Sequence, residues 1–225
     1  MEPSSSVTMS TPKADLQSIQ AILRDRISTH AIPPGTKLNE IPLSEEFGVS
    51  RSRIREALAN LEQRGLVERI HNQGARVAKL DATDIYNMYD VFELLEGLCV
   101  RLAVQRAPKG SWQDLVDLFG ADLEEAVKRG DCDRLFEAIM TYRRRTQETA
   151  ANPTLNTFLE SIYDKTLVII RRTLILPGRA ELSFNEHVAI ISAMQAGDGE
   201  QAEALKRANM RTAREFLERY KDFVL

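Results

Sequence analysis

The sequence predicts a mainly α chain in two parts: three helices and a β-hairpin, then an all-α bundle of about six helices. Three observations carry this. Apolar residues recur at helical spacing from Leu16 onward. One strand–turn–strand pattern interrupts them between residues 66 and 78. After residue 80 the helical period returns with no further strand pattern and no internal repeat. A length of 225 residues, 43% hydrophobic and 28% charged, suits one large domain or two small ones of an ordinary globular protein.

Residues 1–12 have no periodicity and read as a disordered leader. Leu16, Ile19, Leu23 and Ile27 then line one face of a helix, which Pro33-Pro34-Gly35 ends. A short helix opens at Asn39 or at Pro42, presents Leu43 and Phe47, and stops at Gly48. Ile54, Ala57, Leu58 and Leu61 make the stripe of a third helix, with Gly65 as its stop. Runs 66–70 and 75–78 read as strands around the turn His71-Asn72-Gln73-Gly74. This is the plan of a winged helix-turn-helix over residues 13–79, with the second domain at 80–225. There Ile85, Met88, Tyr89, Phe92, Leu95, Cys99 and Leu102 mark one long helix. Further helices are expected at 111–129, 132–150, 153–176, 181–196 and 199–222.

No apolar run exceeds the four residues Leu167 to Ile170, so no membrane span is expected. The leader lacks a secretory pattern, and two cysteines cannot make a disulfide scaffold. A cytoplasmic chain is the expectation. The net charge of −3 hides an asymmetry: residues 1–79 hold 11 Lys/Arg against 9 Asp/Glu, and 80–225 hold 19 against 24. Within 48–79 the count is 7 against 3, a basic patch suited to a polyanion.

That patch centres on Val49-Ser50-Arg51-Ser52-Arg53-Ile54-Arg55 at the start of the third helix. A helix N-terminus prefers acidic residues, so three arginines there make sense when a partner brings the anion. Free backbone N–H groups, the hydroxyls of Ser50 and Ser52 and the arginine forks together suit phosphate. In a helix-turn-helix the same residues meet base edges in the major groove, where Arg grips guanine by two hydrogen bonds. The plainer alternative is a solvated, charged helix end.

Pro33-Pro34-Gly35-Thr36-Lys37-Leu38-Asn39-Glu40, Val49-Ser50-Arg51, Arg55-Glu56-Ala57-Leu58, Gly65-Leu66-Val67 and Gly74 resemble the GntR family of repressors. The helical part, with Asn152-Pro153 and Glu186-His187, resembles the FCD ligand-binding domain of its FadR-like subgroup. The resemblance implies that Arg51 and Arg55 are the main DNA contacts, helped by Ser50, Ser52 and Arg53, although Arg53 stands where the family often has Pro. It sets the wing tip, His71, Gln73 and Gly74, in or beside the minor groove; His71 is equally a plain turn residue. Pro42 is unusual at its position.

Many FCD domains hold a divalent metal through one Asp and three His. The resemblance places those positions at Ile139, Arg143, His187 and Asn209, and only His187 is a good ligand, so no metal and no other cofactor is expected. Arg143 shares an apolar stripe with Phe136, Ile139 and Met140; His187 with Phe184, Val188, Ile191 and Met194; Asn209 with Ala202, Leu205, Thr212 and Phe216. A polar group on an inward face needs a partner. Each is readable as a satisfied core residue. Read together, Arg143 replaces the metal as the cation for a small carboxylate or phosphate effector, with His187 and Asn209 as hydrogen-bond partners. Phe92 stands where relatives often carry an Arg.

No catalytic signature such as GxSxG, HExxH, CxxC or GxxxxGK occurs, so an enzyme is not expected. The expectation is a homodimeric transcription regulator, a repressor by resemblance, on a pseudo-palindromic double-stranded operator. The alternative is an all-α ligand- or partner-binding module with weak or vestigial DNA binding; intact Arg51 and Arg55 argue against it.

Overall fold

The structure, a computed structural model, describes residues 15–29, 31–70, 73–79, 81–108 and 110–221, with the side chain of Asp164 excepted. The expected leader at 1–12 lies outside the described residues, as do His30 and His71. The chain divides into two compact units at the Ala78–Lys79 junction.

The first unit runs α1 (Leu16–Ser28), β1 (Lys37–Leu38), α2 (Glu40–Phe47), α3 (Arg51–Gln63), β2 (Val67–Ile70) and β3 (Gly74–Val77). Asp15 starts α1 by accepting the Ser18 N–H at 2.7 Å. The expected stripe Ile19, Leu23 and Ile27 is buried and packs on α3, whose inner face is Ile54, Ala57, Leu58 and Leu61. Pro42 is the third residue of α2, where its missing N–H removes no helical hydrogen bond. Gly48, at φ 63°, makes the left-handed turn into α3 that a side chain would strain. The hairpin gains an unforeseen edge strand: β1 pairs antiparallel with β3, Lys37 opposite Arg76, giving the order β1-β3-β2. Two residues are too short for any period to show.

The second unit is a bundle of seven helices rather than about six: α4 (Ala82–Arg106), α5 (Gln113–Leu118), α6 (Ala121–Lys128), α7 (Cys132–Ala150), α8 (Pro153–Leu174), α9 (Arg179–Ala196) and α10 (Gly199–Arg219). The expected single helix at 111–129 is α5 and α6, broken at Phe119-Gly120. Phe119 turns inward into the core, and the Gly120 carbonyl starts α6 by accepting from Leu123 and Glu124. Asp81, Asp131, Asn152 and Asp198 accept backbone N–H groups at the starts of α4, α7, α8 and α10. The long α4, about 37 Å by its residue count, packs against α10, α7 and α8. Its approach to α10 is close: a Cβ on Gly97 would lie 2.7 Å from the Arg207 Cγ. α4, α7, α9 and α10 each bring side chains toward a common interior.

Candidate functional site

Two groups of polar residues stand out, one in each unit. In the first, Ser50 accepts the Arg53 N–H at 3.3 Å and opens α3, leaving its own O–H able to donate. Arg51, Ser52, Arg53 and Arg55 are all exposed on the first turns of α3. The structure adds a residue the sequence reading missed. Glu40, at the start of α2, accepts two hydrogen bonds from Arg55, from Nε at 3.1 Å and Nη2 at 2.9 Å, and sits 3.6 Å from Arg51 Nη2. The Arg55 pairing and the two arginine charges hold its carboxyl below the usual range against a small opposing effect of burial. Arg51 and Arg55 face a groove whose other wall carries Lys37, Arg69, Gln73 and Gly74. Gln73 is steadied by Arg76 Nη2 at 3.3 Å. Gln73, Gly74, Arg51 and Arg55 therefore share one groove, which Ser50, Ser52 and Arg53 do not line; His71 lies outside the described residues.

The second group lines a cavity of about 30 Å³ inside the bundle. Ile139 and Arg143 from α7, His187 from α9 and Asn209 from α10 all reach it, so the four positions aligned by resemblance converge. Three further charged residues come with them. Arg143 Nη2 lies 3.1 Å from Glu96 Oε1, and Lys206 Nζ lies 3.4 Å from Glu96 Oε2, each of the three at most 6% exposed at the side chain. Arg179 Nη1 pairs with Glu186 Oε2 at 2.8 Å, and Asn209 Nδ2 donates to the same oxygen at 2.6 Å. Glu96, Lys206 and Arg179 were not foreseen. The buried face of α10 is Ala202, Lys206, Asn209, Met210, Ala213 and Leu217, one residue round from the expected stripe, with Leu205 only half-buried. On α4 the inward position is Glu96 rather than Leu95, and Val188 on α9 is exposed.

The Arg143 Cζ lies over the ring of Phe92 at 5.2 Å and over that of Tyr163 at 4.5 Å. Its polar contact among the described residues is with Glu96, at Nη2; Nε and Nη1 have no hydrogen-bond partner there. Burial pushes the Glu96 carboxyl up, but Arg143 and Lys206 together outweigh it and keep it below its ordinary value, ionised. Burial draws the Lys206 ammonium down, with Glu96 opposing.

His187 donates from Nδ1 to the Ser183 carbonyl at 2.7 Å, stacks on Phe119 and meets Tyr142 edge-on. Its Nε2 is buried with no hydrogen-bond partner among the described residues, leaving a lone pair exposed to whatever enters. Burial first, then the Lys206 charge, pushes its pKa down to about 3. The unfolded imidazole takes a proton below about pH 6.5 whereas the folded one does not until about 3. Stability from this group is thus full above 6.5 and is lost as the pH falls. Between pH 6.5 and 5, wild type is expected to lose about 2 kcal/mol more than His187→Asn by urea unfolding. Equal losses would show a charged or exposed imidazole instead.

These residues do not fit a divalent metal. Ile139 offers no donor, Arg143 repels a cation, and Lys206 and Arg179 line the same cavity. Among the described residues no group of three His, Cys, Asp or Glu is placed to hold a metal ion. Burial holds the Cys99 thiol up at about 12, which removes it as a nucleophile. No described helix is long and apolar enough to cross a membrane.

A winged helix-turn-helix with a basic groove, followed by a helical bundle with a polar interior, defines a DNA-binding transcription regulator with a sensor domain. Residues 16–77 match the gntR family of bacterial regulatory proteins, and residues 87–212 match the FCD domain. The chain belongs to the GntR family, with an FCD domain as its helical part. It is 30% identical over 183 residues to the uncharacterized HTH-type transcriptional regulator YdhC of Bacillus subtilis (strain 168), covering 80% of each chain. It is 25% identical over 187 residues to the HTH-type transcriptional repressor RspR of Escherichia coli (strain K12), 83% of this chain and 82% of that one. The fold is similar to that of E. coli McbR/YncC, with a TM-score of 0.77 and 19% identity over 92% of this chain and 98% of the other.

Proposed function

We propose that this regulator is a repressor whose operator affinity is set by a small anionic metabolite bound in the FCD cavity. Arg51 and Arg55 read base edges; Ser50, Ser52 and Arg53 hold phosphates; Gln73, Gly74 and His71 form the wing contact. Arg143 is the cation that receives the effector's acid group, with His187 and Asn209 as hydrogen-bond partners, and no metal takes part. The chain works in the cytoplasm as a homodimer on a pseudo-palindromic operator, and the effector releases it. The name of its relative RspR supports repression. One observation carries the effector reading: Arg143 is 3% exposed, yet its only polar contact among the described residues is the Glu96 carboxylate at Nη2, and Nε and Nη1 have no hydrogen bond there. Burying such donors unused is costly unless a ligand uses them.

The test is operator binding by fluorescence anisotropy with acetate, lactate, succinate, citrate and phosphate added in turn. At least one anion should weaken operator binding by wild type and leave Arg143→Met unaffected. An identical response in both proteins removes Arg143 from the site.

A further inference from the structure

The charged cluster is uneven. Around Glu96 stand two buried cations, Arg143 and Lys206, for one carboxylate, while Arg179 and Glu186 pair with each other. Glu96 bridges both cations, one oxygen to each. It serves Arg143 incompletely, since the 3.1 Å contact is at Nη2, and Nε and Nη1 have no hydrogen bond among the described residues. Phe92 and Tyr163 pack against that guanidinium, and its unpaired N–H groups can receive a further acceptor. The cavity itself, about 30 Å³, has room for one or two water molecules and no metabolite. A lining group must therefore move when a ligand enters.

Glu96 is the group that competes with an incoming acid for Arg143. If a ligand carboxylate takes the fork of Arg143, Glu96 stays with Lys206, and two cations then face two carboxylates. A dianion would leave one negative charge in excess in a buried site, and a neutral ligand would leave Arg143 without an anion. We infer that Glu96 is a shared internal counter-ion and that the effector is a monocarboxylate, which takes Arg143 from Glu96 and leaves Glu96 to Lys206. This rests on reading the cavity as the effector site and adds the ligand's charge and the exchange that admits it.

The experiment is a thermal-shift titration of the full chain near neutral pH with acetate, propionate and lactate as monoanions, and sulfate and succinate as dianions. Wild type should be stabilised by monoanions and little by dianions. Glu96→Gln removes the competing charge and leaves two cations, so it should bind anions at least about tenfold tighter and prefer the dianions. Dianion preference in wild type, or anion binding unchanged by Glu96→Gln, overturns the exchange while leaving the anion site standing. No response to any anion in wild type and in Glu96→Gln removes both. Should Glu96→Gln fail to fold, the mono-against-dianion preference of wild type decides alone, and Glu96→Asp, which keeps the charge, should retain that preference.

Discussion

Neutralising Glu96 is expected to cost far more stability than removing Arg143, although the two side chains form one ion pair. Glu96→Gln leaves Arg143 and Lys206 buried with no carboxylate between them, and breaking a buried pair in this way costs about 3–5 kcal/mol. Arg143→Met leaves Glu96 and Lys206 balanced at 3.4 Å and removes a guanidinium whose Nε and Nη1 have no hydrogen bond among the described residues. It gives up the contacts to Phe92 and Tyr163, each worth about 2 kcal/mol when desolvated. Relief of the buried charge, about 1–4 kcal/mol, offsets most of this, so Arg143→Met should lose clearly less than Glu96→Gln. Urea unfolding of the three proteins checks the contrast. Equal losses would mean that Arg143 is a structural member of the core, without the strain expected of a residue waiting for a ligand.

Arg51→Ala is expected to weaken operator binding by about 1–3 kcal/mol and to relax the preference at one base pair of each half-site. Arg55 is held by two hydrogen bonds to Glu40, whereas Arg51 lies 3.6 Å from that carboxylate and is 58% exposed, the freer of the two to meet a base. Arg53→Ala should weaken all sequences alike and lower the salt dependence by about one phosphate contact. Anisotropy against the operator and against single-base variants separates the two. Uniform weakening by Arg51→Ala would reassign it to the phosphate backbone.

The helices of the first unit were legible because each has an apolar stripe and a polar or glycine boundary, as with Gly48 at the end of α2 and Ser50 at the start of α3. β1 was not, because its two residues are strand only through pairing with β3. Arg143, His187 and Asn209 stood out as single polar residues on apolar stripes, and the structure brings them to one cavity. Glu96 and Lys206 were hidden for the opposite reason: in sequence a Glu or Lys beside apolar neighbours reads as the solvated edge of a helix. Only the close approach of α10 to α4, which Gly97 allows, puts the two charges inside. Glu40 is 15 residues from Arg55, and no spacing rule joins a residue at one helix start to the first turns of the next helix.

The most direct test of the account is selection of bound duplexes from a random DNA pool by the wild-type chain at low salt. One enriched motif is expected, a pseudo-palindrome of two half-sites, as the proposed homodimer with a reading helix in each copy requires. A pool that shows no enrichment, both alone and with the small carboxylates present, would contradict sequence-specific regulation and leave the helical domain as the functional part of the chain.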